Sequence, residues 1–302
     1  MLRRVLKVIG IVLGVLVGLI VIALLAINIL GNNEIYRKVT VPAESVTIPT
    51  DDASIKEGER LVQVYGCNGC HTANFGGKIF IDDPQLGRII SANLTRGKGG
   101  IGGELTDDDW VRVLRHGVKP DGTRVIIMPA EEFTHLNAST LGKIIAYLKS
   151  VPPVDNELPK TEFHLLGQVL ILTGKFNPFP YEFIDHSAPI AAEVPPGPTV
   201  EYGRYLAQVC AVCHGPGFSG GPMKIAPPNA PKSGNLTGGL GGIGKWTKDD
   251  FIHALRTGDK PDGGVISSEF MPWPSFAHMT DGELTALYLY FQTLPPKASG
   301  NQ

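Results

Sequence analysis

Two five-residue stretches set thiols and an imidazole at a fixed spacing: Cys67-Asn68-Gly69-Cys70-His71 and Cys210-Ala211-Val212-Cys213-His214. Three chemistries use such residues. Two Cys-x-x-Cys pairs can offer four thiolates to a zinc ion, and a single pair can cycle as a redox dithiol. Cys-x-x-Cys-His is also the attachment signature of c-type haem, in which both thiols add to vinyl groups and the imidazole becomes the proximal iron ligand. The pairs stand far apart in the chain (67 against 210), and each carries the trailing histidine that neither zinc nor a dithiol requires. All four cysteines of the chain fall inside the motifs, which leaves none for a structural disulfide. The spacing therefore predicts two covalently bound haem c groups, on Cys67 and Cys70 and on Cys210 and Cys213, with His71 and His214 as axial ligands.

A second ligand type recurs at matching distance. Met128-Pro129 and Met271-Pro272 follow their histidines at one and the same spacing (128 − 71 = 271 − 214 = 57). A thioether is a soft ligand that favours ferrous iron, so a His/Met haem has a higher potential than a bis-His haem. With both axial positions filled it suits electron transfer and disfavours oxygen or peroxide chemistry. Met128 and Met271 are thus the expected distal ligands, against the ordinary role of methionine as core filler. His135 and His278 also repeat, each the same short way beyond its methionine (135 − 128 = 278 − 271), and read as exposed or capping residues. Met279 reads as packing, Met223 as no ligand, and His116, His164, His186 and His253, which lack repeat partners, as surface or loop residues. Pro84 and Pro227 also follow their histidines at a shared spacing (84 − 71 = 227 − 214 = 13), where a loop carbonyl would accept the other imidazole N–H. The alternative there is an ordinary turn proline.

The elements that must position these residues repeat as well. Upstream, with a two-residue offset, Gly58-Glu59-Arg60-Leu61 matches Gly203-Arg204-Tyr205-Leu206, each opening a short helix that leads into the cysteines. Downstream, Asn93-Leu94-Thr95 matches Asn235-Leu236-Thr237, and Gly100-Ile101-Gly102 matches Gly242-Ile243-Gly244. Thr106 and Thr247 stand as N-caps before acidic first turns, and the helices they start stop at Arg115-His116-Gly117 and Arg256-Thr257-Gly258. Arg115 and Arg256 could serve haem propionates or merely end their helices in water. A last helix closes each copy, over 136–150 and 279–293, before Pro152-Pro153 and Pro295-Pro296.

The remaining segments speak to location. A chain of 302 residues suffices for about two domains. A net charge of −2 gives no footing for a nucleic-acid partner. Arg3, Arg4 and Lys7 precede an uncharged run from Val8 to Leu30, about 35 Å long as a helix. The basic flank predicts a cytoplasmic N-terminus and an exported remainder; a cleaved signal peptide would have a shorter apolar stretch. Between the copies, a Pro-rich connection contains the apolar run Phe163 to Leu172. It is too short to span a bilayer, and packing between the two domains is its expected role, with the bilayer surface as the alternative.

Helix, Cys-x-x-Cys-His, haem loops, Met-Pro and final helix together resemble a class I cytochrome c domain, twice. The Asn-Leu-Thr, Gly-Ile-Gly, Asp-Asp-Trp/Phe, Arg-x-Gly and Met-Pro run resembles the cytochrome subunits of membrane-bound alcohol and gluconate dehydrogenases. Those typically carry three units, where this chain has two and an anchor. The likeness covers most of residues 50–297. It implies an all-α fold of tandem class I cytochrome c domains, which the apolar N-terminus places behind a single N-terminal transmembrane helix: 1–34 the anchor, 35–156 the first domain, 157–198 a linker and 199–302 the second domain. It further implies an electron-transfer protein and not an enzyme, held at a bacterial inner membrane with its haems on the periplasmic side. The donor would be a dehydrogenase or quinol-oxidising complex, the acceptor a cytochrome or terminal oxidase. A dihaem peroxidase and a structural subunit of a larger complex are the competing functions.

Overall fold

A computed structural model describes residues 2–223 and 230–300. The apolar N-terminus forms one long helix, α1 (Leu2–Ile35), long and apolar enough to cross a membrane. The first unit follows with α2 (Asp52–Val64), α3 (Cys67–His71), the hairpin β1 (Lys78–Asp83) and β2 (Gly87–Ser91), α4 (Asp107–His116), α5 (Ala130–Phe133) and α6 (Ala138–Ser150). The connection supplies β3 (Glu162–Phe163) and α7 (Leu165–Leu172). The second unit holds α8 (Val200–Leu206), α9 (Gln208–His214), α10 (Lys248–Thr257), α11 (Trp273–Phe276) and α12 (Asp281–Thr293).

Local chemistry accounts for the ends of the helices. Thr106 and Thr247 close reciprocal capping boxes with Asp109 and Asp250, and both helices stop on a left-handed glycine, Gly117 or Gly258. In each unit the first and last helices cross at a glycine. A Cβ on Gly58 would lie 2.1 Å from the Lys143 carbonyl oxygen, and one on Gly203 2.0 Å from that of Ala286. The offset seen in the sequence is therefore structural: Gly58 and Gly203 occupy one place although they differ in distance to their cysteines. Around these crossings two cores form. Leu61, Trp110, Leu114, Leu141 and Ile145 fill the first, and Leu206, Phe251, Leu284, Leu287 and Phe291 the second.

The fold is mostly helical but not all-α. β1 and β2 pair antiparallel from Lys78↔Ser91 to Asp83↔Gly87, with an irregularity between Ile79 and Ile81, and β3 adds to the far edge of β2. The strand signal in Lys78-Ile-Phe-Ile and Arg88-Ile-Ile is short, and the third strand arrives from the linker, far along the chain (162 against 91). Only the tertiary fold brings it there.

The two units share an interface with approximate two-fold character. α5 of the first packs on α9 of the second, and α11 of the second packs on α2 of the first. Arg60, two residues past Gly58, forks onto the Glu283 carboxylate at 2.8 Å with both terminal nitrogens and donates to the His278 carbonyl. Tyr205, two residues past Gly203, accepts from the Asn137 N–H and bonds the Thr140 hydroxyl at 3.1 Å. Thr140 and Glu283 are repeat equivalents, offset as the cysteines are (283 − 140 = 210 − 67). Each unit thus reaches, from one position, into the start of the other's last helix. Val64, from the first unit, is buried in the second core.

Candidate functional site

Both attachment motifs are built alike. The His71 Nδ1 lies 2.8 Å from the Ala92 carbonyl oxygen, and the His214 Nδ1 2.7 Å from that of Gly234. A carbonyl only accepts, so Nδ1 carries the proton and Nε2 keeps its lone pair. Burial holds both histidines below the usual imidazole range, against the opposing pull of those carbonyls, and so keeps them neutral. The motif helices are pinned from the same strand-like segment. Ser91 Oγ donates to the Cys70 carbonyl at 2.6 Å and Ser233 Oγ to the Cys213 carbonyl at 2.8 Å. Gly77 and Gly220 donate to the His71 and His214 carbonyls.

The thiols suit thioether attachment better than thiolate chemistry. Burial pushes Cys67 and Cys210 up to about 12 and Cys213 to about 11, whereas nucleophilic or zinc-binding cysteines need lowered values. Cys67 packs on the first core and Cys210 on the second, so the four sulfurs belong to two sites. Met128, half-buried, rests on the same core as Cys67, and Met271 on the same core as Cys210. A neutral imidazole with a free Nε2, two half-buried thiols and a thioether on one core margin fit a c-type haem in each unit.

Other sequence expectations divide. Met279 is buried in the second core as packing, and His135 and His278 are exposed. The carbonyl acceptor expected from the Pro84 loop is Ala92 instead, and the Pro84 carbonyl takes the His164 ring nitrogen at 2.9 Å; Pro227 lies outside the described residues. His116 is no surface residue. It is buried, with Nε2 3.1 Å from Glu44 and Nδ1 3.0 Å from His186. The arginines at the helix ends brace the turn that follows each methionine. Arg115 donates to the Thr134 carbonyl, and Arg256 to its repeat equivalent at Ala277. Three further pairs emerge only in the structure: Ser91 with Ser233, Ala92 with Gly234, and Phe75 with Phe218. The first two precede Asn-Leu-Thr in both copies, so that motif held the signal. The phenylalanines sit at left-handed φ of 58° and 57°, held by core contacts on Tyr147 and Tyr290.

The two sites adjoin. The Glu132 carboxyl, on α5, raises the thiols of Cys67, Cys70, Cys210 and Cys213, each as a lesser cause after burial. One side chain lies within electrostatic reach of both motifs.

Comparison with known families agrees with this geometry. Residues 53–148 match the family of cytochrome c oxidase, cbb3-type, subunit III, and residues 200–295 match cytochrome c. Each unit is a cytochrome c domain. The chain therefore carries two covalently bound haem c groups, one for each domain. Over 286 residues it is 27% identical to the fructose dehydrogenase cytochrome subunit of Gluconobacter japonicus, covering 86% of this chain and 57% of that one. It is 27% identical to the cytochrome c subunit of the quinone-linked alcohol dehydrogenase of Gluconobacter oxydans (83% and 56%). To the gluconate 2-dehydrogenase cytochrome c subunit of Pantoea cypripedii it is 28% identical (82% and 61%). The chain spans about three-fifths of the length of these relatives.

Proposed function

We propose that this chain is a membrane-anchored dihaem cytochrome c of the class I type, passing electrons from a membrane or periplasmic donor to a downstream acceptor. In this reading Cys67 and Cys70 hold one haem with His71 and Met128 on its iron, and Cys210 and Cys213 hold the other with His214 and Met271. A haem held there would supply a one-electron ferric/ferrous couple. The protein's part is to keep each imidazole neutral and oriented, to brace the methionine turns through Arg115 and Arg256, and to hold the two sites side by side. The domains run over 35–156 and 199–302, joined by 157–198. The anchor is α1, with its basic end in the cytoplasm and the domains outside the inner membrane.

The observation that carries the reading is the duplicated ligand set. Each copy has a histidine with Nδ1 tied to a carbonyl and a methionine on the same core margin, at one shared spacing (128 − 71 = 271 − 214). An optical redox titration of the wild type and of Met128→Ala and Met271→Ala tests it. Each variant is expected to lose one high-potential component and keep the other. An unchanged titration in either would remove that methionine from the ligand set. Both haems are expected to be low-spin and unaffected by peroxide, in contrast to a peroxidase.

The relatives favour a second, compatible reading, in which the chain is the cytochrome subunit of a membrane dehydrogenase. The catalytic subunit is then the donor, the chain itself turns over no substrate, and a quinol-oxidising complex is the alternative donor. A further cytochrome or a terminal oxidase is the acceptor in either case. Purification in mild detergent separates the two, since a subunit brings a stoichiometric partner.

A further inference from the structure

α7 is built the wrong way round for water. Of its eight residues, Leu-Leu-Gly-Gln-Val-Leu-Ile-Leu, the one polar side chain is turned inward: Gln168 is 4% exposed, while Leu165 and Leu166 are 45% and 40% exposed. The partner on the inner side is not the second domain. It is α1, whose Gly31 is approached so closely that a Cβ there would stand 2.8 Å from the Gln168 Cβ. Gln168 spends its amide on the Phe163 carbonyl at 3.1 Å, and its Oε1 has no protein partner. In an aqueous setting burial would favour the reverse orientation, leucines in and amide out.

The position of α7 along the anchor explains the inversion. The groove between the two helices is lined by Val21, Leu24, Leu25 and Asn28 of α1 and by His164 and Leu165 at the start of α7. A bilayer core of about 30 Å takes about 20 helical residues. Counted from Val8, the start of the uncharged run, that length ends near Ile27. The first turn of α7 therefore lies beside a part of α1 that is within or at the edge of the hydrocarbon. Its exposed leucines continue the apolar surface of α1, where Val21, Leu24 and Leu25 are themselves exposed. The anchor's exit is also fixed to the first domain. The buried Arg124 guanidinium pairs with Glu34 at 3.0 Å and Glu182 at 2.7 Å, and stacks 3.7 Å above the Phe179 ring.

We propose that Leu165 and Leu166 enter the outer leaflet, so that α7 is a second, monotopic membrane contact that sets the first domain at a fixed tilt on the bilayer. This rests on the reading of α1 as a membrane anchor. A short helix seated on a spanning one adds apolar area in the interfacial region without crossing it, and its occupant is lipid acyl chain.

The native cysteines are consumed as thioethers in the holoprotein, so an introduced cysteine is the sole free thiol. Full-length holoprotein carrying Leu166→Cys is reconstituted in nanodiscs of phosphatidylcholine and phosphatidylglycerol and exposed to a membrane-impermeant maleimide. Val15→Cys, in α1, and Glu201→Cys, exposed on the second domain, serve as controls. Labelling at position 166 is expected to be slower than at 201 by about tenfold or more, because the thiolate does not form in hydrocarbon. In lipid-free protein unfolded by urea the two rates should converge. If Val15→Cys is protected while Leu166→Cys labels as fast as Glu201→Cys, the leucines face water or a protein partner, and the proposal fails with the anchor intact. If Val15→Cys itself labels freely, the anchor reading fails and the proposal goes with it.

Discussion

The two domains share every part that touches the proposed ligand set and differ in almost everything around it. In both, a carbonyl holds the imidazole, a serine pins the motif helix, a glycine lets the first and last helices cross, and an arginine braces the turn after the methionine. The surroundings of that arginine diverge. Arg115 is fully buried; it forks onto Glu44, at 2.5 and 3.1 Å, and also donates to the Ala188 carbonyl. Glu44 in turn meets His116, which meets His186. Arg256 keeps 31% of its side chain exposed and pairs with Asp281, which is 84% exposed. Shared parts define the chemistry of a site, whereas the differing parts define where it is held. The first domain is clasped by the segment before α2 and by the linker, the same segments that lead to α1 and α7. The second has no such clasp among the described residues.

The sharpest way to break the comparison is to treat both arginines alike. Arg115→Met strands a largely buried Glu44 and should cost about 3–5 kcal/mol, the penalty for unpairing a buried charge. Arg256→Met removes a bond to a carbonyl and a solvated ion pair, and should cost about 1 kcal/mol. Urea denaturation of the two holoproteins measures the difference. Equal losses would mean that the clasp around Arg115 adds nothing.

The helix crossings test the opposite claim, that the scaffolds are the same. Gly58→Ala and Gly203→Ala each push a methyl onto a backbone oxygen that cannot move without its helix. Both should lower stability by about 1–3 kcal/mol, by the usual cost of overpacking. A loss confined to one of them would show that only one crossing is tight.

How much of this was legible in the sequence follows the same division. Cys67, His71 and Met128, and their equivalents, stand out in the sequence as the proposed ligand set because ligand chemistry needs particular residue types and the repeat supplies a second copy of each. The Gly58 and Gly203 match was readable for a similar reason: a close helix approach admits no other side chain. The features without a sequence signal depend on neighbours far away in the chain. His116 has the composition of a surface histidine, and only Glu44 and His186, distant in sequence on either side, make it a buried one. The carbonyl acceptors are backbone atoms, for which Ala92 and Gly234 carry no side-chain signature. The apolar composition of α7 says that it is covered but not by what, so the sequence points to an interdomain filler where the fold places α1.

The smallest expected effect concerns the seam between the domains. Burial, with Glu131 adding to it, raises the Glu132 carboxyl to about 7. The folded protein therefore holds a proton there, between the ordinary carboxylate value and 7, that the unfolded chain releases. That contribution to stability is complete below about pH 4.5 and is lost as pH rises through 7. Discounted for the part of the carboxyl that still meets water, it is worth about 1 kcal/mol. Glu132→Gln keeps the shape and removes the titration. The melting temperature of the wild type should fall relative to that of Glu132→Gln between pH 5 and pH 8. A constant difference across that range would mean that the carboxyl is ionised throughout, and that the seam beside the four motif cysteines is open to water.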